Sequence, residues 1–308
     1  MRLGAFDYIR KPFDTDTIRS VVARAVENRD YVRCAEASGV DDARGPCQLV
    51  GNNRLVQDVL RLVKRVAPTD STVLIQGESG TGKEIVARSI HLRSHRRHRP
   101  FLPVNCSAFT ESLLESELFG HVRGAFTGAI ESKQGLFRAA NGGTLFLDEV
   151  ADMSPTTQVK ILRVLEDRRI SPVGSTEQSP IDVRIIAATN KKIEEEVRQR
   201  NFREDLYYRL NVIPVLLPAL RDRKDDIPLL AGFFLAKYAR QMRKDVRRIG
   251  ERALRSLHDY DWPGNVRELE NIIQREVALC EGCAIESLSF AALGGPQPRL
   301  PSSAPSDK

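Results

Sequence analysis

Five short apolar runs punctuate the middle of the chain: Val73-Leu74-Ile75, Phe101-Leu102-Pro103-Val104, Thr144-Leu145-Phe146-Leu147, Val183-Arg184-Ile185-Ile186-Ala187 and Val212-Ile213-Pro214-Val215. They are continuous rather than alternating, the pattern of strands covered on both faces in a parallel sheet. Helical stretches separate them. The best marked has Ser154 as its cap, Pro155 in its first position, and Val159, Leu162 and Leu165 spaced to line one face. After Leu217-Pro218 the strand signals stop, and residues 227–238, 251–259 and 266–279 read as helices. The pattern predicts an α/β unit over residues 47–217 and a small all-α unit over residues 218–291.

The two ends read differently. Residues 1–30 carry one strand-like stretch and one helix, capped by Thr15 or Asp16, whose Ile18, Val21, Val22, Ala25 and Val26 follow a helical stripe. Residues 31–46, with Ser38-Gly39, Asp41-Asp42 and Gly45-Pro46, read as a linker. Residues 292–308, rich in Gly, Pro and Ser, have the composition of a disordered tail.

Composition changes this picture little. With 308 residues, 41% hydrophobic and 29% charged, the chain is long enough for a full-sized core and two packed units. It has neither an apolar run of membrane-spanning length nor a secretory leader, so a cytoplasmic protein without membrane contact is expected. A net charge of +6 suits a polyanion, and a nucleotide or an acidic neighbouring subunit would serve equally. Five cysteines without dense spacing argue against a disulfide framework, and Cys280 and Cys283 read as ordinary thiols at a helix end. The basic cluster Arg93, His95, Arg96, Arg97, His98 and Arg99 reads as a solvated helix end.

Chemistry enters at two motifs. Gly77-Glu78-Ser79-Gly80-Thr81-Gly82-Lys83-Glu84 follows the first predicted strand and opens a helix, the setting in which successive backbone N–H groups and a helix N-terminus cradle phosphate. Downstream, Leu145-Phe146-Leu147 ends in Asp148-Glu149, two carboxylates placed to hold Mg²⁺ and to polarise water. Lys83 is positioned to reach the β- and γ-phosphates. The generic motif ends in Ser or Thr, and this chain has Glu84 instead.

Between the two motifs lies Gly124-Ala125-Phe126-Thr127-Gly128-Ala129. Together the three segments resemble the AAA+ domain of bacterial sigma-54-dependent transcriptional activators, over roughly residues 47–283. The resemblance implies a P-loop NTPase with a five-stranded parallel sheet and a helical lid, using ATP and Mg²⁺. It implies that Glu84 is a family mark, that Asp148 holds Mg²⁺ directly or through water, and that Glu149 activates the attacking water. Asn105 aligns with an asparagine that holds this glutamate back; Thr189 and Asn190 take the sensor I place and Arg267 that of sensor II. Arg203 and Arg209, in the segment Phe202-Arg203-Glu204-Asp205-Leu206-Tyr207-Tyr208-Arg209-Leu210, would enter the site of the next subunit of a hexameric ring. Residues 124–129 would grip sigma-54 RNA polymerase. Arg138 stands where relatives often have a glutamate linking the nucleotide site to that loop.

Gly4-Ala5-Phe6-Asp7-Tyr8-Ile9-Arg10-Lys11-Pro12-Phe13-Asp14 resembles the end of a response-regulator receiver domain, which implies a two-component type regulator with a truncated receiver. Within the family, Ser94-His95-Arg96-Arg97 and Ile170-Ser171-Pro172-Val173-Gly174 look most like C4-dicarboxylate transport regulators. The residues after the lid carry no helix-turn-helix segment, so specific enhancer-DNA binding is not expected. A competing reading is a truncated, non-productive protein that binds sigma-54 or joins mixed rings; intact Lys83, Asp148, Glu149, Arg203 and Arg209 argue against it. A nucleic-acid motor or clamp-loader-like ATPase would lack the hexapeptide.

Overall fold

The computed structural model describes residues 49–126 and 131–288. The receiver-like segment, the linker and the tail expected from the sequence lie outside the described residues. The α/β unit runs α1 (Arg54–Val66), β1 (Val73–Gln76), α2 (Lys83–Leu92), β2 (Phe101–Asn105), α3 (Glu111–Phe119), β3 (Thr144–Asp148), α4 (Pro155–Asp167), β4 (Arg184–Thr189), α5 (Glu204–Leu210) and β5 (Ile213–Leu216). All five strands are parallel, in the order β2-β3-β4-β1-β5. The register aligns Asn105 with Asp148 and Gln76 with Thr189, so the strand ends that carry the candidate residues meet at one edge.

The strands are apolar on both faces because both faces are covered. Val73, Ile75, Phe146, Ile186 and Ala188 pack against α1 and α2 through Val56, Val59, Val63, Val86 and Ile90. Leu74, Leu145, Leu147, Ile185 and Ala187 face α3, α4 and α5 through Leu114, Leu118, Ile161, Leu165, Leu206 and Leu210. Ser154 caps α4 by accepting from Thr157 N at 3.2 Å, as the sequence predicts. The stripe that α4 buries differs from the expectation: Thr157, Gln158, Ile161, Val164 and Leu165 are buried, while Val159 and Leu162 are only half-buried. The helix is turned by Gln158, whose amide donates to Met153 O and Asn201 O and accepts from Arg203 N. That amide outweighs the apolar spacing because a buried polar group without partners is costly.

The lid consists of α6 (Ile227–Met242), α7 (Glu251–Asp259) and α8 (Asn265–Leu279) around their own core, with a two-residue parallel pairing of Arg248–Ile249 with Ala284–Ile285 closing its base. Fully buried Trp262 anchors it, its Nε1 donating to Leu257 O at 2.8 Å. Among the described residues no helix is long and apolar enough to cross a membrane.

Two basic residues hold the unit together where the sequence suggests solvated charge or mere strand filling. Arg96, expected in a solvated cluster, donates to Asp70, Asp182 and the carbonyls of Gly143 and Asp182, tying the chain after α2 to the start of β3 and β4. Arg184, fully buried inside β4, donates to Val66 O and Ala67 O, closing the C-terminal end of α1. Its charge and that of Arg88 act on His91, which is 4% exposed and shares a 3.0 Å hydrogen bond with Thr144 Oγ1.

Burial above all, and then those arginines, pull the His91 pKa from 6.5 down to about 4. The unfolded chain therefore takes up this proton first, so the stability His91 contributes is present above about pH 6.5 and is lost as the pH falls. Going from about pH 7.5 to about pH 5 should cost about 2 kcal/mol through this residue. In urea unfolding, His91→Gln should lose about that much less over the same interval; equal losses would mean that another group carries the acid sensitivity.

Candidate nucleotide site

Residues 77–82 join β1 to α2 and form a loop closed on itself. Gly77 N donates to Thr189 O, and Thr81 donates through its N and Oγ1 to Glu78 O at 3.3 and 2.8 Å. Gly80 and Gly82 have φ of 78° and 103°, open to glycine without strain. Lys83, the first residue of α2, is 7% exposed. Its Nζ donates to Gly77 O at 2.9 Å and Glu78 O at 3.5 Å and lies 3.3 Å from Glu149 Oε1. Glu84 points along the helix and pairs with Arg88, away from the loop.

The two acids stand in different environments. Asp148, half-buried at the end of β3, has its carboxyl pKa raised, first by burial and then by the adjacent Glu149 charge, with Lys83 opposing. Glu149 has a φ of 54° and ψ of 49°, a left-handed conformation costing a glutamate about 1 kcal/mol or more. It is held there from both sides: Oε1 by Lys83 and Oε2 by Asn190 N at 2.8 Å. A half-buried carboxyl pair with one ammonium beside it suits a hard divalent cation shared with phosphate oxygens. Among the described residues no group of three or more acids, histidines or cysteines converges, so phosphate would have to complete such a site.

The two residues expected at the sensor I place differ in what they touch. Asn190 reaches Glu149 through its main chain, and fully buried Thr189 accepts from Lys191 N through its Oγ1. The expected hold of Asn105 on Glu149 is not the arrangement here. Asn105 Oδ1 accepts from Ser107 N and Ser107 Oγ, capping the turn after β2, while the Glu149 oxygens are taken by Lys83 and Asn190.

The lid closes over the loop. Arg267 Nη1 donates to Ser79 Oγ at 3.1 Å, and the N–H groups of Val266 and Arg267 both reach Gly80 O. A Cβ on Gly80 would stand 2.3 Å from Gly264 O, so only glycine admits this approach. Four lid residues not singled out from the sequence share the contact. Arg221 and Asn265 bond Glu78, buried Arg223 donates to Thr81 O, and buried Asp226 accepts from Asn52 N and Asn53 N. Polar residues in a helical segment give no periodic signal, and only the fold shows that Arg223, Asp226 and Asn265 are buried.

Arg203 and Arg209 have partners away from this loop. Arg203 pairs with Asp205 at 2.6 Å on an open surface with Glu204 and Tyr208, and Arg209 Nη2 donates to Leu165 O. Of the hexapeptide, Gly124, Ala125 and Phe126 are placed, whereas Thr127, Gly128 and Ala129 lie outside the described residues. Phe126 is 38% exposed and meets the His121 ring edge-on at 5.0 Å. The base of this loop docks on residues 172–174: Val122 N donates to Val173 O, Val173 N to Gly120 O, and a Cβ on Gly174 would lie 2.7 Å from that of Ala125. Arg138 donates to Ser179 Oγ.

A phosphate-type loop and an acid pair at the ends of one parallel sheet, with a docked aromatic loop in the same unit, coincide with what comparison finds. Residues 49–216 match the sigma-54 interaction domain, and residues 221–293 match the AAA+ ATPase lid domain. The chain belongs to the sigma-54 interaction domain family. It is similar to the transcriptional regulatory protein ZraR of Salmonella typhimurium, 47% identical over 92% of this chain and 63% of that protein. It is also similar to the regulatory protein AtoC of Escherichia coli, 45% identical over 93% of this chain and 63% of that one. The chain thus spans less than two thirds of the length of these relatives. Among solved structures, NtrX from Brucella abortus in complex with ATP matches with a TM-score of 0.76 at 40% identity, covering 98% of this chain and 66% of NtrX. The ATPγS-bound Hsp104 structure, at 18% identity and a TM-score of 0.56, shares the AAA+ fold.

Cys106 follows β2 and is 2% exposed. Burial, reinforced by the charges of Asp148, Asp152 and Glu149, pushes its thiol up to about 12. A thiol held protonated is a poor nucleophile. In the native protein at neutral pH, iodoacetamide should label exposed Cys283 and leave Cys106 unmodified by peptide mass analysis; rapid labelling of Cys106 would show that this edge of the sheet opens freely.

Proposed function

We propose that this chain is the ATP-hydrolysing, sigma-54-remodelling part of a cytoplasmic two-component type transcriptional activator. The observation that carries the reading is the pairing, in one α/β unit, of a loop centred on buried Lys83 and anchored to Glu149 with a docked loop that presents Phe126. The triphosphate lies along residues 77–84 with Lys83 on its β- and γ-phosphates, Arg267 contacts it from the lid, and at the sensor I place exposed Asn190, positioned by buried Thr189, faces it from the sheet. Asp148 is the residue that would hold Mg²⁺, directly or through water. A bound Mg²⁺ supplies neutralisation of the charge on the phosphate oxygens. Glu149, which now spends its carboxylate on Lys83 and Asn190, turns to orient the attacking water and take its proton. Asn105, on the neighbouring strand end, is the side chain available to hold Glu149 in a different nucleotide state.

Arg203 and Arg209 act in trans on the neighbouring subunit of a hexameric ring, which fits their turning away from the loop of their own chain. A trans arginine contributes about 4 to 7 kcal/mol to such a reaction, so assembly would control turnover. Residues 124–129 form the contact with sigma-54, in which Phe126 buries apolar area and Thr127 adds a hydrogen bond or packs its methyl group. Hydrolysis at one loop then drives remodelling through the other and allows promoter opening.

Glu149→Gln separates binding from cleavage. It should bind ATP within a few-fold of the unmodified protein, by a fluorescent-nucleotide titration, and release phosphate at least about a hundredfold more slowly. Near-normal turnover would remove Glu149 from its role.

Phe126→Ala separates hydrolysis from partner engagement. ATPase activity should stay within a few-fold of normal while capture of sigma-54 in the presence of ADP and aluminium fluoride is lost. Retained capture would show that Phe126 is not the working contact.

A further inference from the structure

Two lid side chains and one loop acid form a cluster whose side chains take no part in the proposed chemical step. Glu78 receives a two-pronged contact from Arg221, Nη2 to Oε1 at 2.5 Å and Nη1 to Oε2 at 2.9 Å. Such forks fix orientation as well as charge. Oε2 also accepts from Asn265 Nδ2 at 3.1 Å. Asn265 is fully buried and uses its whole amide: Nδ2 donates again to Ser79 O at 3.0 Å, and Oδ1 accepts from Leu220 N at 2.8 Å. Its backbone is held as well, at a φ of 53° with its N–H on Trp262 O. One side chain thus joins the phosphate loop, the entry to the lid at Leu220 and the start of α8.

Glu78 faces two ways. Its carboxylate points to the lid, while its carbonyl accepts from Thr81 N, Thr81 Oγ1 and Lys83 Nζ. A rotation of the lid that moves Arg221 and Asn265 must therefore pull on the same residue whose carbonyl orients the loop. The Arg221–Glu78 pair alone is half-exposed, and pairs of that kind contribute little; buried Asn265 makes the connection stiff.

We infer that Glu78, Arg221 and Asn265 form a positioning latch that transmits the angle of the lid to the phosphate loop and so sets the affinity for a nucleoside triphosphate. This rests on the reading of residues 77–84 as the triphosphate loop. None of the three needs to touch the reacting atoms. Their effect belongs in binding and KM rather than in the chemical step.

The test uses the full chain and titration with a fluorescent ATP analogue, together with steady-state hydrolysis and thermal melting. Asn265→Asp keeps the shape, removes both donors and sets a second carboxylate against Glu78; it should weaken binding about tenfold and raise KM similarly, with kcat changed less than about threefold. The double variant Glu78→Gln with Asn265→Asp restores a donor–acceptor pair and should recover most of that loss, a reversal that general damage to the lid would not give. Arg221→Ala, at a half-exposed site, should weaken binding about threefold or more without lowering the melting temperature, and it decides the matter if Asn265→Asp does not fold. Unchanged affinity in Arg221→Ala, or a folded double variant no better than Asn265→Asp, would overturn the latch. Failure of the unmodified chain to bind the analogue would overturn the triphosphate reading itself.

Discussion

The burial of one ammonium group organises the site. Lys83 is almost wholly removed from water, and a buried charge without partners would be strongly destabilising. Its partners are two loop carbonyls and the Glu149 carboxylate. The carbonyls require residues 77–82 to curl around the lysine, which requires positive φ at Gly80 and Gly82. The carboxylate requires Glu149 to accept a left-handed backbone that glutamate disfavours. The strain at Glu149 is then not a local accident; it is offset by a charge contact and a main-chain hydrogen bond from Asn190. Strain of this sort clusters where a residue has work other than packing.

The lid extends the same logic. An isolated phosphate loop exposes its outer carbonyls and the Glu78 carboxylate, and here lid groups satisfy them: Asn265 on Ser79 O, Val266 and Arg267 on Gly80 O, Arg223 on Thr81 O. The loop is therefore sandwiched between its own lysine and the lid, and its shape depends on both. Buried Asp226 adds a second tie, to Asn52 N and Asn53 N ahead of α1.

Much of this was legible in the chain, for reasons that differ by residue. Continuous apolar runs mark strands covered on both faces, and all five appear where the pattern puts them, within one or two residues at their ends. Ser154-Pro155 marks the start of α4 because capping is local chemistry. The phosphate loop and the Asp148-Glu149 pair are contiguous motifs and were visible as such. What was not legible depends on partners far apart in sequence. Gln158 turns α4 through contacts with residues near 201, Arg96 leaves solvent to meet Asp70 and Asp182, and Arg184 reads as an interruption in a strand until α1 ends beside it. Glu78 is an ordinary residue of a phosphate loop until the lid folds back over it. The local role of Asn105 was not legible either: its Oδ1 accepts from Ser107 N and Ser107 Oγ and caps the turn after β2, which leaves only its Nδ2 to donate elsewhere.

The contacts also give a material route between the acid pair and the aromatic loop. The turn Val150–Asp152 after Glu149 leads into α4 through its cap Ser154, whose Oγ donates to Glu111 at 2.7 Å, and farther along α4 Lys160 pairs with Glu115 at 2.8 Å. Both acids lie on α3, which runs into Gly120 and the segment that carries Phe126. Gln158 on the same helix accepts from Arg203 N, so α4 touches the residues around the acid pair, the helix beneath the loop and the segment that carries the outward arginines. A rigid, tightly capped helix bonded on three sides moves as a body or not at all. Side-chain bonds from α4 to α3 thus make a continuous line of contacts between the acid pair and the segment that carries Phe126, separate from the strand ladders of the sheet.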